Sequence, residues 1–190
     1  YVKFKKYWKP SELNAHITFE NFLVNGSDQY ADGRNFPSKK NVSRISAYLH
    51  WGQISPFKLW YDAQNNMQGR SLKTFLSELG WREFSYHLLY YFPDINKKNL
   101  KPKFNSLKWS NDYNLLDKWK KGKTGYPIVD AGMRELWQTG YMHNRLRMIT
   151  ASFLIKNLLI HWKYGEQWFW DCLVDADLAS NSASWQWVAG

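Results

Sequence analysis

The chain has 190 residues, of which 44% are hydrophobic and 22% are charged, so it can bury a sizeable core and is most simply one domain. It has no apolar run long enough to span a bilayer and no secretory signal segment, which predicts a cytoplasmic protein without a membrane partner. The single cysteine excludes an internal disulfide framework, and no Cys/His cluster has the spacing of a metal site.

Charge and aromatic content favour a polyanionic or flat partner. The net charge is +10, and residues 97–123 hold nine lysines against two aspartates, a local balance of about +7. A solvated lysine-rich loop would have the same composition. Twelve tryptophans are unusual; most are expected in the core, although stacking on bases or electron transfer would also use them.

The first half of the chain predicts three helices. Ser11 is predicted to cap a helix that carries Leu13, Ile17 and Leu23 and ends at Asn25-Gly26. Residues 26–41 are expected to form a loop. A second helix starts at Ser55-Pro56. Apolar residues recur at roughly helical spacing in residues 71–92, so a third helix is predicted to stop before Pro93.

The second half predicts a mostly irregular stretch and then further helices. Residues 94–125 are expected to be loop, with a short amphipathic piece at 115–119. Pro127 opens a helix through Trp137 that Thr139-Gly140 breaks, and further helices are predicted over residues 143–162 and 166–173. No alternating run or hairpin turn is present, so the predicted fold is all-α.

Two groups of polar side chains share helix faces. Glu78, Trp81 and Arg82 stand at i, i+3 and i+4, which suits recognition of a flat heterocycle; the alternative is a surface Glu78–Arg82 pair beside a core Trp81. Asn144, Arg147 and Met148 form a second face, and Arg145 points elsewhere.

Arg147 stands just before an apolar run, so it needs a carboxylate partner. Asp175 or Asp177 could supply it, and the other aspartate would then be available to a ligand. A third candidate site is an anion cradle around Ser43, Arg44 and Ser46 at a helix start. No glycine-rich phosphate loop is present.

Four stretches of the sequence resemble one family: SRISAYLHWGQISP, FLSELGWREFSYHLLYYFP, KWKKGKTGYPIVDAGMRELWQTGYMHNRLRMITASFLIKNLLIHW and GEQWFWDCLVDADLASNSASWQW. They are similar to the flavin-binding helical domain of the DNA photolyase and cryptochrome family, and most of all to class I cyclobutane pyrimidine dimer photolyases of bacteria. The resemblance runs from about Ser11 to Gly190. It implies a partial multi-helical FAD- and lesion-binding domain over residues 1–190, without the family's amino-terminal α/β antenna domain.

The resemblance implies a set of residues that bind FAD. Those matching the phosphate and adenosine contacts are Tyr30, Ser43, Arg44, Ile45, Ser46 and Arg82. Those matching the surroundings of the isoalloxazine ring are Asn144, Arg147, Asp175, Ala176, Asp177 and Asn181. Arg147 would pair with Asp175, Asp177 would accept from ring N3–H, and Asn181 would face N5, where an amide can donate or accept. Val42 departs from the threonine common at its position, so one phosphate contact is expected to be absent.

The resemblance also implies a DNA-lesion pocket and an electron chain. The residues matching substrate contacts are Arg34, Glu78, Trp81, Arg82, Asn144, Arg145, Met148 and Trp187, with Arg34 expected on a DNA phosphate. Trp185, Trp162 and Trp109 match the tryptophans that pass an electron from the surface to the flavin. Phe75 stands at a pocket-edge site that is often tryptophan.

The implied activity is light-dependent repair of cyclobutane pyrimidine dimers in DNA by a monomeric enzyme associated with the bacterial nucleoid. Reduced anionic FAD would give an electron to the flipped-out dimer, and Glu78 would stabilise the dimer radical anion. An antenna chromophore of folate or deazaflavin type would belong to the domain this chain lacks. Three alternatives are a pyrimidone-adduct photolyase, a cryptochrome photoreceptor without repair activity, and a flavin-free basic module that binds nucleic acid.

Overall fold

The computed structural model describes residues 2–190, and this part of the chain is helical with no strand, as predicted. The chain folds as two compact units, one ending at Phe84 and the other running from Ser85 to Gly190, where length alone favoured one domain. Their boundary falls within the longest helix. Each unit is described by itself.

The first unit contains a short 3₁₀ turn (Val2–Lys6) and five helices: α1 (Glu12–Asn25), α2 (Tyr30–Gly33), α3 (Ser46–His50), α4 (Pro56–Asn66) and α5 (Gly69–Tyr91), the last of which continues into the second unit. The predicted caps are confirmed: Ser11 Oγ accepts from the Asn14 amide at 3.0 Å, and Ser55 Oγ accepts from the Lys58 amide at 3.1 Å. The loop prediction for residues 26–41 is wrong over the four residues of α2.

Stacked aromatic rings form the centre of the first unit. Phe75 on α5 lies 5.5 Å from Phe19 and 5.7 Å from both Phe22 and Tyr30, measured between ring centroids. All four side chains are buried. The aromatic ring of Phe75, expected at the edge of a lesion pocket, therefore packs in this core.

The second unit contains five further α-helices: α6 (Tyr113–Lys120), α7 (Pro127–Thr139), α8 (Asn144–Ser152), α9 (Trp162–Cys172) and α10 (Leu178–Ala189). A 3₁₀ turn covers Pro102–Ser106, inside the stretch predicted as mostly loop. Gly140 ends α7 in the left-handed conformation at φ 69°, which confirms the predicted break and needs glycine because a Cβ would be strained there.

The prediction of one long helix over residues 143–162 is wrong. Helix α8 ends at Ser152, one π-helical segment follows (Phe153–Asn157), and α9 begins only at Trp162. Leu159 has a φ of 52° in the break between them. No proline or glycine marks this break, so the apolar pattern of the sequence predicts one continuous helix.

The prediction that most tryptophans lie in the core is also wrong. Only Trp119, Trp162 and Trp185 are buried, three others are half-buried, and the remaining six are exposed. The buried three belong to the second unit, whose core also contains Met133, Leu136 and Leu154. In the described part of the chain, no helix is long and apolar enough to cross a membrane.

Candidate functional site

In the first unit, Glu78 is held by Arg34 and not by Arg82. Arg34 Nη1 lies 2.5 Å from Glu78 Oε1, and the two side chains are 12% and 34% exposed. Burial lowers the pKa of Arg34, but the hydrogen bond to Glu78 and the charge interactions with Tyr30 and Glu78 together outweigh burial, so the pKa of Arg34 is raised overall. The carboxylate is therefore fixed by a cation from a distant part of the sequence while remaining partly open to solvent.

The other two members of the α5 face make different contacts. Arg82 pairs with its neighbour Glu83 at 2.5 Å, and the Trp81 side chain is 63% exposed, with its ring against Phe84 at 5.8 Å. The alternative of a Glu78–Arg82 pair beside a core tryptophan is therefore wrong. An exposed indole next to a fixed carboxylate is an arrangement that the packing of the unit does not require.

The predicted phosphate-binding residues of the first unit stand at the start of α3. Ser46 is the first residue of this helix and is exposed, Ile45 precedes it and is buried, and Ser43 is half-buried. Arg44 is exposed, has a φ of 53°, and its guanidinium lies 5.6 Å from the Trp8 ring. Tyr30 is buried in the aromatic core, with the Arg34 guanidinium 5.4 Å from its ring centroid.

In the second unit, Arg147 on α8 is paired with Asp175, as the sequence predicted. Arg147 Nη2 lies 2.8 Å and 3.1 Å from the two carboxylate oxygens, and Nε donates to the Met142 carbonyl at 2.8 Å. Burial lowers the pKa of Arg147. The opposing effects, chiefly those of Asp175, are larger, so the pKa of Arg147 is raised overall. The Asp175 side chain is only 3% exposed, so this charge pair is largely withdrawn from water.

Asp177 caps α10 and is not paired with Arg147. Its Oδ1 accepts from the Ser180 amide at 2.7 Å, and its Oδ2 accepts from the Tyr86 hydroxyl at 2.6 Å. Both carboxylate oxygens of Asp177 therefore accept a hydrogen bond. Ala176, between the two aspartates, is half-buried.

Asn181, one turn along α10, has a fixed amide orientation. Its Nδ2 donates to the Glu166 carbonyl at 3.0 Å, so the acceptor oxygen points away from that contact. Asn181 is buried, and so is Glu166, whose carboxylate accepts from the Ser182 hydroxyl. Burial raises the pKa of Glu166, although Ser182 and Lys163 counteract part of this shift.

Three predicted lesion contacts stand together near the start of α8. Asn144 is its first residue and is exposed, while Arg145 and Met148 are half-buried. Arg145 Nη1 lies 3.3 Å from Met148 Sδ. This side of α8 therefore presents an amide, a guanidinium and a thioether at a partly open surface, and the prediction that Arg145 points away from Met148 is wrong.

The two indoles of the WQW motif face opposite environments. Trp185 is 2% exposed and its ring meets Phe169 at 5.0 Å and Trp119 at 6.3 Å, whereas Trp187 is 69% exposed. Two residues along a helix differ by about 200°, which explains the separation. The sequence predicted that these indoles have different partners, and the structure places them accordingly.

Trp185 packs directly on α9 through Gly165. A Cβ added at Gly165 would lie 2.1 Å from the Trp185 ring, and Trp162 stands three residues earlier on the same helix. From Trp162 the aromatic contacts continue to His161 at 5.6 Å and then to Trp109 at 4.9 Å. Trp162 and Trp109 are thus linked through the His161 ring, and Trp185 packs against the helix that carries Trp162.

Sequence reasoning missed four residues of this arrangement: Tyr86, His161, Gly165 and Glu166. A glycine inside a helix among large aromatics is a recognisable sign of close packing, so Gly165 could have been found. The other three act through contacts distant in sequence or through ring neighbours, and no local pattern marks them.

Comparison with known proteins now decides the family. A model described as the FAD binding domain of DNA photolyase matches residues 75–190. The chain belongs to this family. The resemblance to photolyases and cryptochromes is thereby confirmed, whereas class I is not.

Named relatives include both photolyases and cryptochromes. The chain is 48% identical over 190 residues to a deoxyribodipyrimidine photo-lyase of Agrobacterium fabrum, covering 98% of this chain and 40% of the relative. It superimposes with a TM-score of 0.95 and 47% identity on a class III photolyase from Agrobacterium tumefaciens, covering all of this chain and 40% of the other. A cryptochrome of Synechocystis sp. PCC6803 gives a TM-score of 0.89 at 31% identity, with 96% and 39% covered. The chain thus spans about 40% of the length of these relatives.

Proposed function

We propose that the protein carrying this chain repairs cyclobutane pyrimidine dimers in DNA in a light-dependent reaction with bound FAD. The observation that carries the proposal is the pair formed by Arg34 and Glu78 beside the exposed Trp81. A fixed, partly exposed carboxylate next to an exposed indole suits a flat ligand that donates a hydrogen bond from its edge, because the carboxylate accepts and the indole offers a stacking surface. The name deoxyribodipyrimidine photo-lyase, carried by relatives up to 48% identical, supports this reading.

The polar residues of the second unit fit the isoalloxazine part of FAD. Asn181 offers a carbonyl oxygen whose orientation is fixed by Glu166, and the Asp177 carboxylate, an acceptor, caps the same helix. The Arg147–Asp175 pair fixes the start of the segment that carries Asp177 and Asn181. Bound FAD would supply light absorption and one-electron transfer. The chain's own residues bind it, orient it and keep water away.

Residues of the first unit would hold the remaining part of FAD. These are Tyr30, Ser43, Arg44, Ile45, Ser46 and Arg82. Arg44 and Arg82 supply positive charge for phosphates. Ser43 and Ser46 supply hydroxyl donors near the start of α3.

Glu78, whose carboxylate is held by Arg34, would accept a hydrogen bond from a ring N–H of the pyrimidine dimer and so orient the dimer. Its pairing with Arg34 gives that arginine a positioning role, in addition to the DNA phosphate contact that the resemblance implies. Trp81, Asn144, Arg145, Met148 and Trp187 are the further proposed contacts to the lesion and its strand. The excess of lysine and arginine supports binding to the DNA backbone.

Trp185, Trp162 and Trp109 would carry an electron inward from the surface. Trp185 and Trp162 are buried and Trp109 is half-buried, which is the order of exposure such a path needs. The assignment to class I, the monomeric state and the cytoplasmic location stay predictions.

A matched pair of substitutions in the FAD-loaded full-length protein tests the proposal. Trp185→Phe should abolish light-driven reduction of oxidised FAD but leave dimer repair intact after chemical reduction. Trp187→Phe should keep photoreduction and weaken binding to dimer-containing DNA by an amount on the order of 1 kcal/mol, because a stacking surface shrinks. Photoreduction without dimer binding or repair in the wild-type protein would instead indicate a cryptochrome photoreceptor.

A further inference from the structure

The indole N–H of Trp162 has a side-chain partner that no role has yet used. Trp162 is fully buried, and its Nε1 donates to Asn99 Oδ1 at 2.8 Å. A buried indole N–H needs an acceptor, since an unpaired one costs free energy. The acceptor here is an amide oxygen from the segment that follows α5.

The orientation of the Asn99 amide is fixed from its other end. Asn99 Nδ2 donates to Asn105 Oδ1 at 2.8 Å. The indole nitrogen can only donate, so the amide oxygen must face Trp162. The result is a short hydrogen-bonded row from Trp162 through Asn99 to Asn105.

Gln186, the central residue of the WQW motif, clamps the backbone on both sides of Asn99. Its Nε2 donates to the carbonyls of Ile95 at 2.8 Å and Lys98 at 2.6 Å, and its Oε1 accepts from the Leu100 amide at 3.2 Å. Gln186 is itself buried. The helix that carries Trp185 thus also fixes the residue that contacts Trp162.

We propose that Asn99 is a positioning residue of the electron chain that keeps the Trp162 proton in place while the indole is oxidised. The inference rests on the proposed function, because it assumes that Trp162 passes electrons. When oxidised Trp162 takes one electron from Trp109, Trp109 is oxidised and Trp162 is restored, and no N–H bond breaks. The electron count balances without a further reactant.

The chemistry of the acceptor is what makes asparagine suitable. An oxidised indole is a far stronger acid than the neutral ring, so a carboxylate at this position can take its proton and trap a neutral radical. An amide oxygen is far too weak a base to do so, yet its hydrogen bond to the charged indole is stronger than one to the neutral ring. Asn99 therefore stabilises the oxidised state of Trp162 and keeps it reversible.

Two substitutions with opposite effects in the dark separate this role from a structural one. In the FAD-loaded protein, ¹H–¹⁵N NMR should show the Trp162 indole N–H shifted downfield, with its signal assigned by Trp162→Phe. Asn99→Leu should move the signal upfield, because leucine cannot accept the hydrogen bond of the indole N–H. Asn99→Asp should keep it downfield, because the carboxylate still accepts.

Under a light flash, both variants should lower the yield of oxidised Trp109 several-fold, measured by transient absorption. In Asn99→Asp, the neutral Trp162 radical should accumulate at neutral pH, and the yield should recover at low pH once the carboxylate is protonated. No such recovery is expected for Asn99→Leu.

The inference fails if Asn99→Leu leaves the indole signal and the Trp109 yield unchanged while Trp162→Phe abolishes that yield. It also fails if Asn99→Asp behaves as the wild type at every pH. An unchanged Trp109 yield in Trp162→Phe would be a different result, since it would overturn the electron chain of the proposed function and this inference with it.

Discussion

Replacing Gly165 by alanine should disrupt the packing of Trp185 against α9. The added Cβ would lie 2.1 Å from Cη2 and 2.6 Å from Cζ3 of Trp185, and 2.7 Å from Cδ2 of Leu154. Carbon atoms in contact stand about 3.5–4.0 Å apart, so the ring would have to move by more than about 1 Å. Phe169 and Trp119 already pack against it, so no space for that movement adjoins the ring.

The size of the effect follows from two opposing contributions. Alanine in a helix interior is favoured over glycine by about 1 kcal/mol. Overpacking of a filled core costs typically about 1–3 kcal/mol and sometimes more. Three contacts below 3.0 Å with buried side chains place Gly165 at the upper end, so we expect a net loss of about 2 kcal/mol in the free energy of unfolding.

Two other helical glycines are matched controls. Gly80 on α5 is exposed, and an added Cβ would meet nothing within 4 Å, so Gly80→Ala should stabilise the protein by up to about 1 kcal/mol. Gly132 on α7 has less space than Gly80 but more than Gly165, since an added Cβ would lie 3.2 Å from Thr150 Cγ2. Gly132→Ala should therefore be close to neutral. Urea unfolding followed by far-UV circular dichroism measures all three. If Gly165→Ala is as stable as Gly80→Ala, the packing argument is wrong.

Two further predictions concern buried charges. Arg147→Met should lower the free energy of unfolding by about 3–5 kcal/mol and reduce the FAD content after purification, because it removes the cation bonded to the buried Asp175 carboxylate. Arg147→Lys should lose less stability. A methionine variant within about 1 kcal/mol of wild type in urea unfolding would contradict the pairing. Burial raises the pKa of Glu166 above its unfolded value, so its stabilising contribution is present at low pH and is lost as pH rises through the folded pKa. Glu166→Gln, whose amide oxygen can still accept from Ser182, should therefore gain stability relative to wild type as pH rises from about 4 to 7, and parallel stability–pH curves in thermal melts would refute this.

Local signals in the sequence were sufficient to predict most helix ends. Ser11, Ser55 and Gly140 each act through neighbours within four residues, so their roles follow from the local pattern alone. The break between α8 and α9 could not be predicted in this way, because Leu159 adopts its left-handed conformation without a glycine or proline to mark it.

Contacts in the candidate site were predictable only where chemistry leaves one choice. Arg147 beside an apolar run requires a carboxylate, and few were available. Glu78 had an apparent partner one turn away in Arg82, and nothing in the sequence indicates that Arg34, 44 residues earlier, takes its place. The Asn99–Trp162 bond spans 63 residues, which is beyond any local pattern.

The unequal distribution of buried indoles has a spectroscopic consequence. Indoles already in water change their fluorescence little on unfolding, so six of the twelve contribute a nearly constant background. The three that pass from a dry interior to water, Trp119, Trp162 and Trp185, all belong to the unit that begins at Ser85. A fluorescence melt therefore reports mainly the loss of that unit, whereas ellipticity reports helices of both. Two midpoints that coincide would indicate one cooperative transition, and two that differ would show the units unfolding in turn.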